Sequence, residues 1–208
     1  AVTDGGVATN NRQANGDAPC HPRFVERMGS VQLCSSCHNQ HKTVDQWRGA
    51  PDNLKGNNCL GCHMPQEFRQ GGRSGSNHAF PASHDLVALQ SAVSLDLKIE
   101  DGVVRTTLTN DGSGHNFPTD ERSRAADLFV QYQVDGKLGE WQRLYRFRDP
   151  YRDETDLTNT QLPSGQSMSF DLRNDVQSVA VRLIYKTNPF MSDDDGVVVH
   201  SATLVIDE

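Results

Sequence analysis

The sequence predicts an α+β protein in which a small, mostly helical and irregular segment precedes an antiparallel β-sandwich. Three observations predict it. The five cysteines, at positions 20, 34, 37, 59 and 62, all fall in the first third of the 208 residues. The charges divide along the same line: residues 1–85 hold eight Lys and Arg against seven Asp and Glu, and 86–208 hold twelve against twenty, which together make the formal net charge of -7. Apolar and polar residues alternate repeatedly from Ser94 onward, and not before it.

Taken in order, residues 1–19 (AVTDGGVATNNRQANGDAP) are small and polar with no apolar periodicity, and are expected to form a flexible N-terminal arm. Residues 20–85 contain few β-branched runs and much Gly, Asn and Ser. Helical pieces are expected at 23–33, 34–47 and 60–64, with Pro65 stopping the last. So few aliphatic residues make a thin core, and a bound apolar group has to complete it. Residues 86–208 read as the sandwich, with strands at 94–100, 103–110, 128–134, 140–148, 167–173, 178–187 and 200–207. Asp101-Gly102 and Asp135-Gly136 are hairpin turn signals. The inward rows are predicted to be Leu95, Leu97, Ile99, then Val130, Tyr132, Val134, then Val179, Val181, Leu183 and Tyr185.

The acidic balance argues against nucleic acid as a partner, since phosphate binding depends on a surplus of Lys and Arg. No apolar run is long enough for a membrane span. Ala1 to Asn10 has neither the charged nor the apolar region of a signal peptide, so any export signal is expected to have been removed.

Cys34-Ser-Ser-Cys37-His38 and Cys59-Leu-Gly-Cys62-His63 are both C-x-x-C-H, the signature of covalent c-type haem attachment. Cysteines three residues apart on one helical turn reach the two vinyl groups of a porphyrin, and the adjoining histidine places its imidazole beneath the iron. The motifs therefore predict two covalently attached c-type haems, with His38 and His63 as proximal ligands. A zinc site on the four cysteines is the alternative, but it leaves both histidines without a role. Haem attachment takes place outside the cytoplasmic membrane, so the chain is expected to be periplasmic or extracellular. The porphyrins would also supply the missing apolar surface, packing on Trp47, Leu54, Leu60, Phe68 and Phe80. Cys20, preceded by Pro19, is read as a buried free thiol, with His21 after it as an alternate iron ligand.

What fills the sixth position of each iron separates electron transfer from catalysis. His41 shares a helical face with His38 and is able to serve only the neighbouring haem. His78 and His84 follow a glycine-rich stretch that can wrap a porphyrin edge, and His115 sits in an irregular loop between strands. Arg124 is a candidate partner for a haem carboxylate, and the acidic run 192–196 is read as solvated.

The run from CSSCH through HKTVDQWRGAPDNLKGNNCLGCHMP to NHAFP, a strand pair and TNDGSGHNFPTD resembles the C-terminal portion of bacterial multihaem c-type cytochromes related to the cytochrome c-554 group. The resemblance spans roughly residues 20–130. It implies bis-histidine haems in close contact, with His78 and His115 as distal ligands; the residues themselves leave His21, His41 and His84 as alternates. The chain departs from that family in carrying two motifs where its members usually carry more.

The function expected is that of a dihaem electron carrier exchanging electrons with redox proteins, other multihaem cytochromes among them, within an oligomer or larger complex. Two other readings differ in class. One is a haem enzyme or sensor with one open iron acting on a small nitrogen or oxygen species, and the other is an assembly module that positions a haem pair.

Overall fold

The structure, a computed structural model, describes residues 2–3, 6–9, 12–13, 17–55, 58–69, 71–119 and 122–206. Part of the expected 1–19 arm and the last residue of the expected 200–207 strand lie outside those residues. The described part of the arm contains β1 (Val2–Thr3) and β2 (Gly6–Thr9), which pair with each other; β2 also pairs in parallel with β3 (Arg23–Phe24).

The cysteine segment contains a 3-10 turn at Glu26–Gly29 and then α1 (Val31–His38), α2 (Thr43–Gly49), α3 (Asp52–Lys55) and α4 (Cys59–His63). A hairpin of β4 (Gln66–Arg69) and β5 (Arg73–Ser76) follows. The expected α+β class with a mostly helical first segment is overturned, because among the described residues strand outweighs helix about two to one. Each helix in the segment is stopped after one or two turns. Gly29 and the extended Ser30 interrupt the expected 23–33 helix. A turn over 39–42, with Lys42 left-handed at φ 63°, breaks the expected 34–47 helix in two. Pro51 forces Ala50 extended, at ψ 158°. The last helix is well specified: Asn58 Oδ1 accepts from the amides of Leu60 (3.0 Å) and Gly61 (3.1 Å), an N-cap directly before the motif.

From α5 (Leu86–Ala92) onward the strands are β6 (Ser94–Glu100), β7 (Val103–Thr109), β8 (Ala125–Val134), β9 (Lys137–Leu138), β10 (Gln142–Arg148), β11 (Ser167–Leu172), β12 (Ser178–Lys186) and β13 (Val197–Val205). One antiparallel sheet runs β10-β8-β12-β13, with β9 on β8, and another runs β11-β7-β6. Asp101-Gly102 and Asp135-Gly136 both have two successive positive φ angles, the conformation a tight hairpin turn requires.

The two sheets share an apolar interior. Val104, Val130, Leu172, Val179 and Val181 meet in one cluster, and Leu108, Leu128, Phe147, Leu183 and Val199 meet Leu89 of α5 and Val93 in another. Ile99 and Val134, expected inside, lie at strand ends and are 51% and 39% exposed. The opposite face of β8 and β12 is also covered, because Asp127 is fully buried there between Arg146 and Lys186. Asp193, in the run read as solvated, closes over Lys186.

Candidate functional site

Between the short helices and the loops of the two sheets lies a cavity of about 490 Å³, the size of a cofactor site. Cys34, His38, Cys59, Cys62 and His63 line it from the two motifs, and His115 lines it from the loop after β7. The walls are otherwise largely apolar, with Val44, Leu60, Leu89 and Phe117 among them. Both motifs end helices, so each histidine leaves its element at the cavity rim.

The imidazoles of His63 and His115 are nearly parallel, at 8°, with ring centres 6.2 Å apart. Two imidazoles bound to one metal ion from opposite sides through bonds of about 2.0 Å have ring centres roughly 6.3 Å apart. The separation therefore fits a shared iron. Nδ1 of His63 lies 2.8 Å from the Pro81 carbonyl, and Nδ1 of His115 lies 3.1 Å from the Asn116 carbonyl. A carbonyl only accepts, so each Nδ1 carries the proton and each Nε2 carries the lone pair that binds metal.

Burial pushes the Cys34 and Cys59 thiols up from their ordinary range, and Cys34 is raised further by the neighbouring Cys59, with which it shares a hydrogen bond. Such thiols are neutral and poor nucleophiles at neutral pH, unlike a catalytic cysteine. Among the described residues no three His, Cys, Asp or Glu side chains gather as a metal-ion site. Cys20, expected to be buried, is an exposed free thiol, because the short β2–β3 pairing leaves the turn before Arg23 on the surface.

The remaining sequence-predicted residues are placed as follows. Cys37 is exposed on α1, one turn from the cavity-lining Cys34. His78 is exposed, with Nδ1 2.9 Å from the Ser76 carbonyl and its ring edge-on to Phe80, and it does not line the cavity. His21, His41 and His84 are not part of the lining either. His200 is held by the Val93 carbonyl at 2.7 Å. Arg124 does line the cavity, and its guanidinium donates to the Thr187 carbonyl (2.7 Å) and to Ser123 Oγ (2.9 Å).

Sequence reasoning missed the groups that hold the His115 loop. Gln46 Oε1 accepts from the Asn116 amide (3.1 Å) and from Thr119 Oγ1 (2.7 Å), tying α2 to the loop. A Cβ on Gly114 would lie 2.9 Å from Trp47 Cδ1, and one on Gly112 would lie 1.7 Å from the Ser91 carbonyl oxygen. The Gly-Ser-Gly before His115 was the available signal, but in sequence it reads equally well as a solvated turn.

Neither a known protein family nor a curated protein matches the chain. Among solved structures it is similar to a penta-heme cytochrome c552 from Thermochromatium tepidum, with a TM-score of 0.68, 14% identity, and coverage of 90% of this chain and 59% of that one. A hypothetical protein, PH1083 from Pyrococcus horikoshii OT3, has a TM-score of 0.29 at 10% identity over 56% of this chain and 88% of that one. The cytochrome likeness is one of fold, and the chain spans 59% of that cytochrome's length. Among the described residues no helix is long and apolar enough to cross a membrane.

Proposed function

We propose that the chain is a c-type cytochrome that carries two covalent haems, is related to the multihaem cytochromes, and passes electrons between redox partners outside the cytoplasmic membrane. The observation that carries this reading is the His63–His115 pair, parallel and 6.2 Å apart in a cavity lined by cysteines of both motifs. Haem supplies a one-electron iron couple there. Cys34 and Cys37 would hold one porphyrin and Cys59 and Cys62 the other, with His38 and His63 as the motif ligands and His115 opposite His63. An iron held between His63 and His115 would have no position left for a substrate, which favours outer-sphere transfer over catalysis at that haem. The Pro81 carbonyl, 2.8 Å from His63 Nδ1, holds that imidazole in orientation. The residue facing His38 is to be selected by substitution from His78, His21, His41 and His84.

The test is stopped-flow reduction and reoxidation, combined with carbon monoxide difference spectra and assays for peroxide, nitrite and hydroxylamine turnover. Fast exchange without turnover is the expected result. Sustained turnover at a high-spin iron would replace this reading with the enzyme.

A further inference from the structure

We infer that Asn110 is a positioning residue for His115, setting the distance between the His115 and His63 imidazoles. The inference rests on the reading of those two histidines as an iron pair.

Asn110 follows the last residue of β7 and is fully buried, with 0% exposure. Its Nδ2 donates to the His115 carbonyl and to the Leu162 carbonyl, both at 2.9 Å. The Ser113 hydroxyl lies 2.7 Å from Asn110 Oδ1 and 2.7 Å from the His115 carbonyl, and shares its single proton between them. The Asn110 backbone is engaged as well: its amide donates to Gln166 (2.9 Å), and its carbonyl accepts from Gly165 (2.7 Å). One amide side chain therefore joins the His115 carbonyl to Leu162.

The turn from Asn110 to His115 has almost no freedom elsewhere. Gly112 and Gly114 are packed so closely on Ser91 and Trp47 that neither position has room for a Cβ. An apolar or a carboxylate side chain at 110 removes the Nδ2 donor that the His115 and Leu162 carbonyls share, which frees the His115 peptide to reorient. A rotation of that peptide moves the attached imidazole, and a metal bond tolerates little displacement.

The experiment compares the haem-loaded wild type with Asn110→Leu, Asn110→Asp, Ser113→Ala and His115→Ala by electron paramagnetic resonance, carbon monoxide titration and thermal unfolding. Both Asn110 variants should shift one of the two haems toward high spin and let it bind carbon monoxide, as His115→Ala does. Ser113→Ala should remain low-spin but raise carbon monoxide affinity at that haem about tenfold, the effect of one lost hydrogen bond. If the Asn110 variants melt earlier yet keep both haems low-spin and closed to carbon monoxide, Asn110 is merely structural and the inference falls. Should they fail to fold, an unchanged affinity in Ser113→Ala overturns it equally. Two low-spin haems in His115→Ala would instead remove the iron-pair reading itself.

Discussion

His63 and His115 come from unrelated parts of the chain, the end of a five-residue helix and a loop leaving a β-strand, yet their rings lie parallel at a spacing of 6.2 Å. This pair joins the Gln46 and Trp47 contacts between the cysteine segment and the His115 loop, and ligation of a shared iron would lock the two parts together. In chemical terms, replacing His115 with Ala should convert one low-spin haem to high spin and open it to carbon monoxide. His200→Ala should leave the spectrum unchanged, because that imidazole is engaged with Val93. His78→Ala reports whether the exposed His78 serves the other iron; an unchanged spectrum transfers the role to His21, His41 or His84.

The two motifs set the stoichiometry. Intact-mass measurement should find two haems per chain that survive acid-acetone extraction, attached through Cys34, Cys37, Cys59 and Cys62. An unmodified polypeptide, or one carrying zinc, would end the cytochrome reading, and a third haem would assign Cys20 and His21 to an attachment site.

Gly112 is expected to tolerate no side chain. A Cβ there meets backbone, Ser91 O at 1.7 Å, so relief requires α5 or the His115 loop to move. Gly112→Ala should destabilise the protein by about 3 kcal/mol in thermal unfolding. Gly139→Ala, whose Cβ would meet only Tyr132 O at 3.4 Å, is the control and should change stability by less than about 0.5 kcal/mol.

The buried charges behind the large sheet should be unequal in their effects. Asp127 accepts two hydrogen bonds of 2.7 Å from Arg146 and lies 3.3 Å from Lys186 Nζ. Asp127→Asn leaves both cations without their shared counter-charge and should cost roughly 3–5 kcal/mol. Lys186→Met leaves Asp127 paired with Arg146 and should cost clearly less; an equal loss would show that Lys186 carries the network.

Charge separation along the chain predicts a salt effect. Residues 86–208 hold twelve basic and twenty acidic side chains, so a redox partner with a basic face should associate at a rate that falls as ionic strength rises. A salt-independent rate would place docking on the nearly neutral cysteine segment.

Patterns carried by contiguous residues were readable without a structure. The two C-x-x-C-H motifs stand out by spacing alone, and alternation located β6, β7, β8 and β10 to β13 to within a few residues because side-chain direction along a strand is a local property. Asp101-Gly102 and Asp135-Gly136 announced their turns because few residue pairs accept two positive φ angles. Helix length in the cysteine segment was not readable. Lys42 adopts a left-handed conformation for which a lysine has no intrinsic preference, so its packing context decides.

The tertiary structure alone decided which histidine faces which. His78 and His115 stand in similar Gly- and Asn-rich surroundings, and no local pattern separates them. What places His115 in the cavity and His78 outside it is the strand order and the buried amide of Asn110, which bonds to Leu162 far along the chain. Contacts of that span depend on how the sheets close over one another, and nearest-neighbour sequence carries no record of it.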